Sequence, residues 1–200
     1  DDDDEGEDAK TLKVVLIGES GVGKTSIISR FINDTFDEGS MTTTGASYAT
    51  KDIVFENYQN QVIKFEIWDT AGQEKYRALT SIFYKDAAIA ILVYDITNED
   101  SFKELQNYWY MQIKEGAPKD IVIGLAANKS DLIENEAVPE EKARSFAKEI
   151  GAIFKSTSAC TSTGVEKLFY NVGCKYLDPN FNEDDNSVKN SGEKKTQVNE

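Results

Sequence analysis

Along the chain, short apolar runs rich in β-branched residues alternate with longer stretches in which apolar positions recur every three or four residues. The apolar runs predict strands at 12–17, 47–55, 62–68, 88–94, 121–126 and 152–155; the amphipathic stretches predict helices at 24–33, 76–84, 101–115, 139–150 and 164–177. This alternation is the signature of an α/β fold. The runs Ala88-Ile89-Ala90-Ile91-Leu92-Val93 and Ile121-Val122-Ile123-Gly124-Leu125 are apolar on both faces, as interior parallel strands must be. Only a short polar link at 56–61 separates the second and third strands, too little for a crossover helix, so those two form an antiparallel hairpin. The expectation is a six-stranded, doubly wound sheet, mostly parallel with one antiparallel strand and helices on both faces. Ser101, followed by Phe102 and Glu104, resembles a capping box, and Pro139 marks a helix start.

Charge sharpens the boundaries. The 200 residues carry a formal net charge of −14, of which −6 falls in residues 1–10 and −3 in residues 178–200, leaving −5 for the centre. The run Asp1-Asp2-Asp3-Asp4-Glu5-Gly6-Glu7-Asp8 has nothing to bury, so residues 1–10 are expected to be a disordered acidic segment. One domain at 11–177 and a flexible tail at 178–200 complete the expected organisation. An acidic chain is poorly suited to coating a nucleic-acid backbone. Two cysteines without close spacing, no long apolar run and an acidic start point to a soluble intracellular protein. The chain contains no histidine, which removes Ser-His-Asp and Cys-His catalysis and histidine-ligated zinc.

Three motifs carry the chemistry. Gly18-Glu19-Ser20-Gly21-Val22-Gly23-Lys24-Thr25 matches G-x-x-x-x-G-K-[ST] between a predicted strand and a predicted helix, which makes it a P-loop. Its backbone N–H groups cradle phosphates, Lys24 adds a point charge and the Thr25 hydroxyl suits Mg²⁺. Asn128-Lys129-Ser130-Asp131 follows the fifth strand, where ligands of doubly wound sheets bind. The Asp131 carboxylate can accept from both N1–H and the 2-amino group of guanine, a donor pair adenine lacks, so guanine is the expected base. Asp69-Thr70-Ala71-Gly72-Gln73-Glu74 places a carboxylate at a strand end. Asp69 fits a Mg²⁺ ligand acting through water. Gln73 fits a group that orients the attacking water, a task that needs hydrogen bonds rather than histidine.

In this order and spacing the motifs resemble those of a small GTPase of the Ras superfamily, and more closely of the Rab family, over residues 13–177. Rab-like stretches include Trp68-Asp69-Thr70-Ala71-Gly72-Gln73-Glu74-Lys75-Tyr76, Val93-Tyr94-Asp95-Ile96-Thr97-Asn98-Glu99-Asp100-Ser101-Phe102 and Thr43-x-Gly45. Gly45-Ala46-Ser47-Tyr48 and Lys64-Phe65-Glu66-Ile67-Trp68 are most similar to the early-endosomal branch.

The resemblance implies a P-loop NTPase G domain that binds GTP or GDP with Mg²⁺ and hydrolyses GTP slowly without a GAP. It implies phosphate contacts from Ser20, Gly21, Val22, Gly23, Lys24, Thr25 and Ser26, and Thr43 as a Mg²⁺ and γ-phosphate contact flanked by Thr42 and Thr44. Gly72 would meet the γ-phosphate. Phe36 would pack on the guanine face, with Asn128, Lys129, Asp131, Thr157, Ser158, Ala159 and Cys160 around the base. Gln73, Lys24 and Thr43 would be the catalytic group.

Effectors would bind an aromatic triad of Tyr48, Trp68 and Phe83, although Trp68 also reads as a core residue. Further implied partners are a GEF, a GAP and a GDI, for a monomer working between cytosol and endosomal or other vesicle membranes. Three positions depart from the family pattern: Cys160 stands where lysine is usual, Thr44 where isoleucine is, and Phe83 where tyrosine is. The chain ends Thr196-Gln197-Val198-Asn199-Glu200 without a cysteine to prenylate. A lipid anchor is therefore expected outside these residues, as a C-terminal prenyl group on a longer chain or an N-terminal acyl group. The competing reading is a nucleotide-binding scaffold with little useful hydrolysis; a P-loop ATPase or kinase is disfavoured by Asp131.

Overall fold

The computed structural model describes residues 9–39, 47–70, 77 and 81–183. Six strands, β1 (Lys10–Ile17), β2 (Ser47–Phe55), β3 (Gln61–Asp69), β4 (Ile89–Asp95), β5 (Val122–Asn128) and β6 (Ile153–Ser156), form one sheet in the order β2-β3-β1-β4-β5-β6. Every pairing is parallel except β2 with β3. The helices are α1 (Lys24–Asn33), α2 (Ser81–Tyr84), α3 (Glu99–Glu104), α4 (Tyr110–Gly116), α5 (Glu140–Ile150) and α6 (Val165–Leu177). The expected α/β architecture is the observed one.

Alternation along β1 explains why both faces need helices. Val14 and Leu16 point into a core shared with Phe31 of α1 and Phe169 of α6, whereas Val15 and Ile17 join Phe102, Trp109 and Phe154 on the opposite side. All seven residues of β4 are buried, which fits a strand at the centre of a doubly wound sheet. Phe31 and Phe169 stack with centroids 3.9 Å apart, fixing α1 against α6.

Several boundaries differ from the sequence reading. Lys10, assigned to the disordered segment, opens β1 and pairs with Ile63; backbone pairing asks nothing of its side chain. The hairpin link contains a 3₁₀ turn at Glu56–Tyr58, and Gln59 and Asn60 adopt positive φ, so β3 begins at Gln61. The cap before Phe102 is Asn98 rather than Ser101: its Oδ1 accepts from the N–H groups of Asp100 and Ser101, and α3 starts at Glu99. Ser101 is buried, its Oγ bonded to the Asn98 carbonyl at 2.7 Å. A π turn, Leu105–Trp109, joins α3 to α4.

The expected tail also begins later. Phe181 is buried in the core, and Glu183 pairs with Lys155 at 3.2 Å and accepts a short hydrogen bond from Asn171. Packing thus continues past Leu177 to Glu183. Residues 1–8 and 184–200 lie outside the described residues, as do 76 and 78–80 of the expected helix at 76–84; its described α-helical part is α2.

Candidate functional site

The C-terminal ends of β1, β3, β4 and β5 bring the motifs together. After β1 the chain turns through the P-loop, with Gly21 at φ 79° and Gly23 at φ 99°, conformations that strain any residue bearing a Cβ. A Cβ on Gly23 would also lie 2.3 Å from Nδ2 of Asn128, so that glycine lets the Asn128 side chain close on the P-loop. Lys24, only 3% exposed, donates from Nζ to the carbonyls of Gly18 and Glu19, both at 2.8 Å. The ammonium is thereby aimed back across its own loop. Ser20 is exposed, and Val22 is buried in the α1-side core. Ser26 lies in the first turn of α1, half-buried.

Thr25 and Asp69 meet across the gap between α1 and β3: Thr25 Oγ1 donates to Asp69 Oδ2 at 2.5 Å. Asp69 is 2% exposed, and the adjacent Thr70 donates to the Leu16 carbonyl at 2.6 Å, pinning the end of β3 to β1. A hydroxyl and a carboxylate are hard oxygen donors of the type Mg²⁺ selects, and this pair already converges beside the phosphate loop.

The Asn128–Asp131 segment is tied to the P-loop. Asn128, the last residue of β5, donates to the Val22 carbonyl at 2.8 Å and accepts from Thr157 Oγ1 at 3.1 Å. Lys129, at φ 63°, donates to the Gly21 carbonyl at 2.8 Å and pairs with Asp95 at 2.7 Å. Asp131 accepts from Ser158 Oγ at 2.6 Å, which holds its carboxylate beside the loop after β6. Thr157 and Ser158 are fully buried, Ala159 nearly so, and Cys160 is exposed.

Arg30 of α1, which the sequence reading did not single out, holds this loop by donating to the carbonyls of Ala159 at 2.7 Å and Cys160 at 3.1 Å. Phe36 is half-buried against the α1-side core. Thr43, Gly72 and Gln73 lie outside the described residues.

Tyr48, Trp68 and Phe83 come together as a contiguous aromatic strip. Tyr48 and Trp68 face each other across the β2–β3 register and stack with centroids 5.2 Å apart; Trp68 and Phe83 are 6.2 Å apart. Tyr48 is 60% exposed and Trp68 half-buried, so both readings of Trp68 hold in part. Its indole N–H is buried and makes no hydrogen bond among the described residues. Lys13 sits 5.2 Å from its ring while pairing with Asp86 at 2.5 Å, and this lysine holds the Asp86 carboxyl below the usual carboxylate range.

Comparison with known proteins matches this arrangement to a family. The Ras family model matches residues 13–178. Ras-related protein Rab-22A of Homo sapiens is 45% identical over 163 residues, 82% of this chain and 82% of that protein. The chain belongs to the Ras family, as a Rab GTPase. Human Rab-31 is 42% identical over 182 residues, covering 90% of this chain and 91% of its own length. RABA4a of Arabidopsis thaliana is 44% identical over 161 residues, covering 80% and 70%. As a Rab GTPase the protein binds guanine nucleotide, hydrolyses GTP to GDP and acts as a switch in vesicle trafficking. The P-loop ATPase or kinase reading and the reading of a scaffold with little useful hydrolysis both give way to this assignment.

Proposed function

We propose that this Rab works on endosomal membranes, recruiting effectors through Tyr48, Trp68 and Phe83 when GTP is bound. Its similarity to Rab-22A and Rab-31 supports the compartment, and the partly exposed aromatic strip, with Tyr48 stacked on Trp68, supports the surface. The residue roles rest on one observation above all: hydrogen bonds from Asn128 and Lys129 to the P-loop carbonyls make the base site and phosphate site one rigid unit. Asp131 reads guanine; Ser158, Ala159 and Cys160 border it, and Phe36 covers its face. P-loop N–H groups from Ser20 to Ser26 and the Lys24 ammonium hold the phosphates.

Thr25 and Asp69, joined by Thr43, are the residues that fit Mg²⁺, which when bound supplies charge neutralisation to the phosphates. Gly72 senses the γ-phosphate, and Gln73 orients the hydrolytic water. A GEF, a GAP and a GDI regulate the cycle, and a lipid anchor ties the monomer to its membrane. Effector capture tests the surface: retention should be strong with a non-hydrolysable GTP analogue, weak with GDP, and lost from the Trp68→Ala variant. Equal capture in both nucleotide states would reject this reading.

A further inference from the structure

A charged and aromatic cluster lies beside the P-loop and shares one residue with it, Glu19. Its centre is Arg77, four residues beyond Gln73 in the chain. The guanidinium pairs with Glu104 at 2.8 Å and with Glu19 at 3.2 Å. It also lies 4.1 Å from the centroid of the Tyr108 ring and 5.6 Å from that of Trp109. Trp109 is buried and donates its indole N–H to the same Glu19 oxygen at 2.8 Å. Tyr108 and Trp109 meet edge to face, 4.9 Å apart.

The π turn makes this convergence. Its wider ring, closed by a bond from the N–H of Tyr110 to the carbonyl of Leu105, lets Glu104, Tyr108 and Trp109 all reach one guanidinium. Such turns are rare and recur at functional sites.

Glu19 links the cluster to the reaction. Its side chain holds Arg77 and Trp109, while its backbone carbonyl accepts a bond from Nζ of Lys24. The path Lys24, Glu19, Arg77 therefore runs from the phosphate-binding lysine to the chain segment that carries Gln73. Both carboxylates meet one guanidinium nitrogen, Nη2, while the guanidinium carbon lies over the Tyr108 ring, a combination that a lysine's compact ammonium, carried on a different stem, would not reproduce.

We propose that Arg77 is a positioning residue for GTP hydrolysis, acting through Glu19 and held by the π turn. It registers the segment bearing Gln73 against the P-loop. The inference rests on the proposed water-orienting role of Gln73. Nucleotide affinity does not depend on it, because the base and phosphate contacts lie on other residues.

The test is single-turnover phosphate release from protein preloaded with GTP, alongside GDP dissociation and thermal unfolding of the GDP form. Variants are Arg77→Lys, Glu19→Gln (which keeps an acceptor for the Trp109 indole), their double, and Gln73→Leu. Each single change is expected to slow hydrolysis about three- to tenfold, and the double no more than the slower single, because both break one link. GDP dissociation should stay within about twofold of wild type. The inference is overturned if the singles hydrolyse at the wild-type rate, if their effects multiply in the double, or if GDP dissociation accelerates in step with the lost activity. Wild-type hydrolysis by Gln73→Leu would overturn the Gln73 role itself, and the inference with it; a slow Gln73→Leu beside a normal Arg77→Lys rejects the inference alone.

Discussion

At the scale of single residues, burial decides which groups are available for chemistry. Cys160 is exposed beside the base loop, whereas Cys174 lies in the core of α6. Burial pushes the Cys174 thiol up to about 11, outweighing the opposing effect of hydrogen bonds with Tyr170 and Tyr58. Because its folded value lies above the unfolded one, the neutral thiol contributes stability that is complete below about pH 9 and lost as pH rises towards about 11. The loss should be on the order of 2 kcal/mol. Removal of the group by Cys174→Ser or Cys174→Ala should flatten that part of a chemical-denaturation pH profile. At pH 8 a thiol reagent should modify Cys160 rapidly in the native protein and reach Cys174 only after unfolding, giving one fast equivalent and a second in denaturant. Two fast equivalents would contradict the buried placement. Arg30 makes a related point: nothing in its local sequence marks it, yet two of its nitrogens hold the loop that carries Ala159 and Cys160.

Elements pack by shape as much as by hydrophobicity, and Gly173 of α6 shows how narrow the tolerance is. A Cβ there would sit 2.3 Å from the ring of Phe55 and 3.1 Å from that of Phe65. Alanine would gain about 1 kcal/mol of helix propensity. Overpacking a filled core costs about 1–3 kcal/mol, more when two rings resist. The clash should win, so Gly173→Ala is expected to lower the thermal midpoint by several degrees; a raised midpoint would mean that α6 shifts freely over β2 and β3. The pattern of apolar positions makes the helix and its buried face legible, since Val165, Leu168, Phe169 and Val172 recur at helical spacing. It contains no record of which ring lies across from Gly173. The same holds for the π turn: Phe102, Leu105, Trp109 and Ile113 read as one ordinary amphipathic helix, and only packing against Glu19 and Arg77 distinguishes the turn inside it.

On the scale of the whole molecule, the packed body reaches Glu183. Phe181 fills the α1-side core, Lys175 donates to its carbonyl at 3.2 Å, and Glu183 closes on Lys155 and Asn171. Composition hides this, because one aromatic residue among Asn, Asp and Pro looks like a tail. Ending the chain after Leu177 should expose that part of the core and cost about 2–4 kcal/mol, as large-to-small core changes do. Ending it after Glu183 should leave the thermal midpoint within about 1–2 °C of the full chain. Equal midpoints for the two truncations would show that the segment adds nothing.

What the sequence by itself determined is everything local or periodic. Strands apolar on both faces and amphipathic helices specify a doubly wound sheet, and contiguous motifs such as Gly18 to Thr25 and Asn128 to Asp131 point to the family. Those signals survive in one dimension because backbone periodicity and a single turn require neighbours in the chain. Tertiary structure alone decided the contacts between distant segments: Asn128 with Val22, Arg30 with the Ala159 loop, Phe181 with the core, and Arg77 with Glu19 and the π turn. Their energies depend on distance and burial in the folded state, and chain order encodes neither.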